Sequence, residues 1–263
     1  MNIIEINKLN YLNVFSDFST SFEKNKLTTI SGPNNCGKTT LLKILSKKIN
    51  SNSDIIINNN NINDYKINEY YKLVKSVIPL EEEFINYTVE EELQYTVDRL
   101  FLNKEEKNSR IKSIIKNLYL NGIRKKEIKD LNDKEFILLQ LADSIITTPK
   151  ILLIDDLSPY LDSEEIKKII IFLKSIISKY DMTIIINSLR LEDIIETDKI
   201  MIINNSEVIL EGNPIDILQK DNILNKAGIK VPFMIDLSVK LKDYNLIDEV
   251  ELDMNRMTNK LWN

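Results

Sequence analysis

The sequence predicts an α/β fold: a buried sheet entered through an antiparallel β region, with a helical insertion and a small helical extension at the C-terminal end. Two observations favour this class. Short apolar or β-branched runs, such as Ile151–Ile154 and Thr183–Ile186, are typical of strands buried on both faces. Between these runs, apolar residues recur at helical spacing. With 263 residues and 43% hydrophobic content, the chain can bury one such core and carry a small appendix.

The first 61 residues contain mainly strand patterns. Residues 1–26 alternate apolar and polar side chains, which predicts edge strands leading to a buried strand at Leu27–Ile30. A helix follows, with apolar residues at helical spacing up to Ile49. Next come a strand at Asp54–Ile57 and a turn over 58–61.

Between the predicted strand and helix lies the pattern G-x-x-x-x-G-K-[ST]. Gly32 and Gly37 let the backbone bend so that successive N–H groups face a polyphosphate at the positive end of the helix. Lys38 is expected to reach the β and γ phosphates, and the Thr39 hydroxyl to hold Mg²⁺. The sequence therefore predicts a P-loop NTPase (RecA-like) core whose ATP-binding residues are Gly32, Pro33, Asn34, Asn35, Cys36, Gly37, Lys38, Thr39 and Thr40.

Tyr11 is a further candidate for the nucleotide site, and two interpretations of it stay open. An aromatic ring on the entry to the P-loop strand offers a stacking surface for adenine. The same ring also fits ordinary packing in a β-sheet. We include Tyr11 among the predicted ATP-binding residues.

The middle of the chain is predicted to be a helical insertion over about 85–147, within a domain that spans 1–220. Apolar stripes at helical spacing run from Thr88 to a predicted stop at Asn121–Gly122. A second helical stretch, 132–147, opens with Asn132 and has Glu135 three residues later, the spacing of a capping box.

The run Ile151–Ile154 ends in two carboxylates, Asp155 and Asp156. Ligands of doubly wound sheets gather at the carboxyl ends of the strands, so Asp155 is a candidate for holding Mg²⁺ directly or through water. The alternative is an acidic helix cap after a core strand. The P-loop upstream favours the metal role.

The last hundred residues predict a helix at 163–179, a hairpin turning at Asn204–Asn205 and a helix start at Asn213–Pro214. Residues 221–263 contain two further amphipathic stretches. These form a predicted C-terminal extension, either a cover for the core or a dimer surface, and the dimer surface is favoured.

Composition excludes several functional classes. The formal net charge is −5 and the Lys and Arg residues are dispersed, so nucleic acid is not an expected partner. The chain has no histidine, which removes Ser-His-Asp triads and histidine metal sites, and its single cysteine excludes an internal disulfide. Neither a signal region nor a run of about 18 apolar residues is present, so we expect a cytosolic chain that does not span a membrane.

The P-loop, the strand that ends in Asp155 and the order of the segments resemble an ABC transporter ATP-binding subunit over the whole chain. The segment 131–135 lies at the family's signature position, and Leu161–Asp162 matches its following loop. The tail from Val231–Phe233 onwards looks like the C-terminal extension of energy-coupling-factor ATPases, which power vitamin and metal-ion uptake. The resemblance implies ATP and Mg²⁺ as cofactors and a location on the cytoplasmic face of the membrane. It also implies three partners: a paralogous ATP-binding subunit, a transmembrane coupling protein and a substrate-binding membrane subunit.

The chain departs from the family pattern at four places. The signature keeps Leu131, but Asn132, Asp133 and Lys134 replace its serine and both glycines. Asp156 stands at the position of the catalytic glutamate, one methylene shorter. The last two departures are Ile78–Pro79 in the region of the Q-loop glutamine and Leu189 at the histidine position.

These departures predict the catalytically degenerate half of an ATPase heterodimer. An alternative is a pseudo-ATPase that binds nucleotide and regulates a partner in a soluble complex. A P-loop kinase is a third option, which the Leu161–Asp162 loop and the helical insertion disfavour.

Overall fold

Two β-sheets and the helices around them make up the structure, a computed structural model that describes residues 1–51, 53–81, 83–188, 190, 195–251 and 254–262. Its strands are β1 (Asn2–Tyr11), β2 (Phe15–Glu23), β3 (Leu27–Ser31), β4 (Asp54–Ile57), β5 (Asn60–Asn61), β6 (Val74–Val77), β7 (Ile151–Ile154), β8 (Thr183–Asn187), β9 (Lys199–Asn204) and β10 (Glu207–Gly212). Its α-helices are α1 (Lys38–Leu45), α2 (Ile67–Leu73), α3 (Val89–Asp98), α4 (Lys104–Asn117), α5 (Asp133–Ile146), α6 (Ser163–Tyr180), α7 (Pro214–Leu218), α8 (Asp221–Lys226), α9 (Phe233–Asp243) and α10 (Met254–Trp262). Short 3-10 helices cover Ile62–Asp64, Leu120–Ile123 and Ile128–Asp130.

The larger sheet has six strands in the order β10-β9-β3-β8-β7-β6. All neighbours are parallel except β10, which forms an antiparallel hairpin with β9. Every residue of β3, β7 and β8 is buried, as the apolar runs at these positions predict. The predicted α/β class is therefore confirmed.

The first strands form the predicted antiparallel β entry region, in a sheet of their own. β1 and β2 belong to a separate antiparallel sheet with the order β2-β1-β4-β5, in which Ile4 faces Ile57 and Ile6 faces Ile55. β2 is an edge strand, as predicted, whereas β1 lies inside this sheet. The apolar face of this small sheet packs together with Leu41 of α1 and with the larger sheet in one hydrophobic cluster, because the alternating pattern leaves one face to bury.

Several boundaries also differ from the predictions. α2 and the edge strand β6 were not predicted, because a four-residue strand with the polar residues Lys75 and Ser76 at its centre carries little pattern. α1 ends at Leu45, so Ile49 lies outside it. α4 ends at Asn117, and Asn121–Gly122 lies in a 3-10 helix instead of forming the stop.

Predicted caps and turns are local features, and most of them are confirmed. The capping box of α5 joins Asn132 and Glu135, with both hydrogen bonds present. Asn213 caps α7, and Pro214 occupies its first turn. The β9–β10 turn is shifted by one residue from the prediction: Asn205 and Ser206 have φ of 47° and 61°.

The C-terminal segment has one face on the core and another exposed. Leu224 and Ile235 belong to the hydrophobic cluster of the larger sheet. The side chains of Phe233, Tyr244 and Trp262 are 69%, 77% and 82% exposed. The segment thus covers part of the core and also presents aromatic side chains that are free of the core. Within the described ranges, no helix is long and apolar enough to cross a membrane.

Asp143 is a buried carboxyl group that joins two helices of the insertion. It lies on α5, is 9% exposed, and accepts a hydrogen bond from the Thr96 hydroxyl of α3. Burial raises the pKa of Asp143 above its ordinary value, although the Thr96 hydrogen bond opposes this shift.

Replacing Asp143 with asparagine is expected to raise the free energy of unfolding at neutral pH, because the amide oxygen still accepts the Thr96 hydrogen bond and no charge is buried. A carboxyl whose pKa is raised by folding stabilises the folded state fully below its unfolded pKa, about 3.9, and that stabilisation is lost as pH rises through the folded pKa. The difference in Tm should therefore be largest at neutral pH and shrink towards about pH 4.

Thermal unfolding across pH measures this difference, and the exposed Asp64→Asn is the matched control. A Tm difference for Asp143→Asn that grows on acidification would contradict the prediction.

Candidate nucleotide-binding site

The larger sheet brings three chemically important segments to one edge. β8 lies between β3 and β7, with Asn187 opposite Ile30 of β3, and Ile186 opposite Ile154 of β7. Because these strands are parallel, their carboxyl ends meet. The P-loop follows β3, and Asp155 follows β7 at the same edge.

Both P-loop glycines are required by close packing. A Cβ atom on Gly32 would stand 2.2 Å from the carbonyl oxygen of Ile203 in β9. Gly37 has φ of 100°, and a Cβ there would stand 2.7 Å from the side chains of both Val14 and Phe15. The loop is therefore held between β9 and the turn of the small sheet.

The Lys38 ammonium group is folded back onto the P-loop. It donates hydrogen bonds to the carbonyl oxygens of Gly32 at 2.9 Å and Pro33 at 2.8 Å, and its Nζ lies 3.6 Å from the Sγ atom of Cys36. The side chain is only 9% exposed. Its positive charge is thus fixed at the base of the loop, next to the first turn of α1.

An open cavity of about 570 Å³ lies over the P-loop, a volume within the range of small-ligand sites. Of the predicted ATP-binding residues, Asn34, Asn35, Gly37, Lys38, Thr39 and Thr40 line it, and so do the two predicted carboxylates. The full lining is Val14, Asn34, Asn35, Gly37, Lys38, Thr39, Thr40, Asp155, Asp156 and Asn187.

Four predicted residues do not line this cavity. Gly32 and Pro33 lie behind it, where their carbonyl oxygens hold Lys38. Cys36 packs partly against the small-sheet cluster. Tyr11, at the end of β1, is half-buried and packs against the same cluster, so both interpretations of it stay predictions.

The two carboxylates have different surroundings. Asp155 is 8% exposed, and its Oδ1 accepts a hydrogen bond of 2.8 Å from the side-chain amide of Asn187. The Oδ1 of Asp156 accepts one of 3.0 Å from the backbone N–H of Ser158. Asp156 therefore also stabilises the turn that follows β7, and it is one methylene short of the glutamate that the resemblance places there.

The oxygen donors at this edge fit Mg²⁺ held together with a nucleotide. In the described part of the chain there is no group of three or more acidic, histidine or cysteine side chains that could hold a metal alone. Mg²⁺ bound with phosphates needs only one or two protein oxygens. The Thr39 hydroxyl and the Asp155 carboxylate line one cavity and are of this kind.

The signature segment caps the N-terminus of α5. Asn132 and Glu135 bond each other's backbone N–H groups at 2.9 and 3.0 Å, and Lys134 pairs with Glu165 at the start of α6. Asp133, the first residue of α5, is exposed. Asn132, Lys134 and Glu135 therefore have partners within the chain, and the carboxylate of Asp133 faces solvent.

At the Q-loop position, Ile78 is buried and Pro79 has no N–H to donate. The next residue, Leu80, donates its N–H to Oε1 of Gln140 at 3.4 Å. Gln140 is fully buried on α5 and does not line the cavity. Leu189, at the histidine position, lies outside the described residues.

Two cavity residues were missed from the sequence. Val14 lies in the β1–β2 turn, and nothing in its pattern indicates a site. Asn187 directly follows the apolar run Thr183–Ile186 and is the last residue of β8. A polar side chain at the carboxyl end of a buried parallel strand could have indicated a site residue.

A P-loop after a central strand of a mostly parallel sheet, facing carboxylates that follow the next strand but one, defines a P-loop nucleotide-binding protein. The family model described as ABC transporter matches residues 15–158, more than half of the chain. The chain therefore belongs to the ABC transporter family, as an ATP-binding subunit.

The relatives that this chain is similar to are named for different types of ABC transporter. The chain is 21% identical to the energy-coupling factor transporter ATP-binding protein EcfA of Pediococcus pentosaceus, over 99% of this chain and 96% of that protein. It is 27% identical to the spermidine/putrescine import ATP-binding protein PotA of Clostridium novyi, over 82% of this chain and 63% of that protein. The structure of cbiO1 from Clostridium perfringens, part of the ABC transporter complex cbiONQ, superposes with a TM-score of 0.72 at 20% identity, covering 92% of this chain and 99% of that one.

Proposed function

We propose that this chain is the ATP-binding subunit of an energy-coupling-factor type importer for vitamins or other micronutrients. It acts as the catalytically degenerate half of an ATPase heterodimer on the cytoplasmic face of the membrane. Relatives support the type: EcfA of Pediococcus pentosaceus aligns with nearly the whole chain, extension included. The proposal needs a paralogous ATP-binding subunit, a transmembrane coupling protein and a substrate-binding membrane subunit as partners.

The observation that carries the proposal is the shared cavity of Lys38, Thr39 and Asp155. Lys38 provides a fixed positive charge for the phosphates, and the start of α1 adds the positive end of a helix. Thr39 and Asp155 supply oxygen ligands for Mg²⁺, which when bound neutralises charge on the phosphates.

Degeneracy follows from two features of the chain. Asp156 is shorter than glutamate by one C–C bond, about 1.5 Å, and a displacement near 1 Å can cost about 100-fold in rate. The signature segment offers Asp133, a negative charge, towards the nucleotide of a facing subunit, which is repulsive. ATP is thus held here mainly as a structural ligand, and faster turnover belongs to the partner's P-loop.

An apolar segment after β6 supports a membrane-protein partner. Ile85 and Tyr87 are 76% and 60% exposed. The buried Glu92 of α3 accepts hydrogen bonds from the backbone N–H groups of Ile85 and Asn86 at 3.1 and 2.8 Å. These bonds fix the segment with Ile85 and Tyr87 exposed, while Phe84 packs against the core. Such a held, exposed apolar segment is typical of a docking site.

Affinity purification of the tagged chain from its own cells, in mild detergent, tests the proposal. We expect a second ATPase subunit and a multi-span membrane protein to co-purify with the wild type. Ile85→Asp should lose the membrane protein, whereas Ile171→Asp, at an exposed isoleucine on α6, should retain it. The purified chain alone should hydrolyse ATP well below about 1 s⁻¹.

Two results would contradict the proposal. Turnover by the isolated chain at about 1 s⁻¹ or faster would remove the degenerate role. Co-purification with soluble proteins alone would favour a nucleotide-binding regulatory scaffold instead of a transporter.

A further inference from the structure

Asn187 occupies the centre of the candidate site. It is the last residue of β8, between the strand that leads to the P-loop and the strand that leads to Asp155. It lines the nucleotide cavity and yet is only 1% exposed. A polar side chain at such a position has to be explained by its partners.

One half of the Asn187 amide has a partner. Its Nδ2 donates a hydrogen bond of 2.8 Å to Oδ1 of Asp155. An ionised carboxylate only accepts hydrogen bonds, so the NH₂ group must face Asp155, and the orientation of the amide is determined. This bond fixes the carboxylate that the proposed function assigns to Mg²⁺.

The carbonyl oxygen of the Asn187 amide has no partner within the described residues. Among the residues that the structure describes, no group donates a hydrogen bond to Oδ1 of Asn187. A buried acceptor without a donor costs about 1–3 kcal/mol. Six other described residues also have a buried polar side-chain atom without a hydrogen-bond partner, and none of the six lines the cavity: Thr28, Thr29, Arg124, Glu127, Gln140 and Ser144.

The missing donor is expected to arrive with the ligand. A carbonyl oxygen repels phosphate oxygens, so it does not contact the polyphosphate itself. The nearby ammonium of Lys38 is already held by the carbonyl oxygens of Gly32 and Pro33. Water molecules bound to Mg²⁺ are strong donors, and Mg²⁺ usually keeps several of them.

We propose that Asn187 is a positioning residue for the magnesium ion, which holds Asp155 through its N–H group and accepts a hydrogen bond from a water ligand of Mg²⁺ through Oδ1. The proposal rests on the proposed function, since it requires a MgATP site. In a chain that has no histidine, the side-chain amide of Asn187 on β8 thus helps to position the groups that surround Mg²⁺.

Asn187→Leu tests this role, because leucine is close to asparagine in shape and lacks both polar groups. Calorimetry would measure ATP affinity with Mg²⁺ and with EDTA. We expect Mg²⁺ to strengthen ATP binding about 10-fold less in the variant than in the wild type, the usual loss for a partner of a metal ligand. Affinity for metal-free ATP should stay within about twofold, well under 1 kcal/mol.

A second readout follows the metal directly. EPR titration of Mn²⁺ into the ATP complex should show weaker Mn²⁺ binding for Asn187→Leu, also by about 10-fold. Asn7→Leu is the matched control, since Asn7 also donates to an aspartate, Asp54, but on the exposed small sheet. If Asn187→Leu does not fold, Asn187→Ser, which keeps a hydroxyl group, takes its place. In that variant Mg²⁺ should strengthen ATP binding less than in the wild type, but more than expected for Asn187→Leu.

The outcomes separate this inference from the proposed function. If the wild type binds MgATP and the Asn187 variants keep its full Mg²⁺ and Mn²⁺ dependence, the role of Asn187 is refuted and the proposed function stands. If affinity for metal-free ATP falls as much as affinity for MgATP, Asn187 is only structural and the inference also fails. If the wild type binds no ATP, both fail.

Discussion

Replacing Lys38 with methionine is expected to weaken MgATP binding by about 10- to 100-fold. Each hydrogen bond to a charged group contributes about 1.5–3 kcal/mol, and a lysine ammonium has three donors. Two donors of Lys38 are held by the carbonyl oxygens of Gly32 and Pro33, so one is left for phosphate. Loss of that bond corresponds to about 1.5–3 kcal/mol, which is about 10- to 100-fold in Kd. Methionine retains most of the aliphatic volume, so the effect reports the charge.

The reason for expecting so large an effect is the position of the ammonium group. It is 9% exposed and fixed by two carbonyl oxygens at the base of the cavity. Little side-chain entropy remains to be lost when a phosphate binds, so the charge acts at full strength.

Isothermal calorimetry of MgATP with wild type and Lys38→Met measures the effect. The matched control is Lys43→Met on the same helix: Lys43 pairs with Glu81 and does not line the cavity. Equal Kd values for wild type and Lys38→Met would show that the cavity is not a phosphate site.

Gly32→Ala is the second change with a large expected effect, here on folding. The added Cβ would stand 2.2 Å from the carbonyl oxygen of Ile203 and 2.9 Å from Sγ of Cys36. Because the obstacle is backbone of a buried strand, either β9 or the P-loop must move. We expect a loss of about 3 kcal/mol or more in the free energy of unfolding.

Urea denaturation at equilibrium gives this free energy, and loss of MgATP affinity should accompany the loss of stability because the loop is displaced. Gly122→Ala is the control: no atom lies within 4 Å of its added Cβ, so its free energy of unfolding should change by less than about 1 kcal/mol. If Gly32→Ala also changes the free energy of unfolding by less than about 1 kcal/mol, the close approach of Gly32 to β9 is not a constraint.

Features that depend on neighbouring residues were predictable from the sequence. The capping box of Asn132 and Glu135 and the buried strand at Ile151–Ile154 are set by spacings of a few residues, and the structure confirms both. The P-loop pattern likewise identified the segment that lines most of the cavity. Side chains within one turn or one strand meet each other in any fold that contains that element.

Pairings between distant segments were not predictable in the same way. Residues 1–26 have the pattern of edge strands leading to β3, but that pattern does not indicate that β1 pairs with β4, about fifty residues away. β6 is a strand because β7 offers it an edge, and its own residues carry little signal. Periodicity indicates which face of a strand is buried, but not which sheet buries it.

The sequence by itself determined the α/β class, the P-loop and the acidic end of β7, because each is contained in one short segment whose chemistry requires particular residues. Only the tertiary structure decided that Asn187 stands between those segments and holds Asp155, and that Lys38 is fixed by the loop carbonyls. The physical reason is that a binding site is formed by the ends of several strands. Their order in the sheet depends on long-range packing, which no single segment encodes.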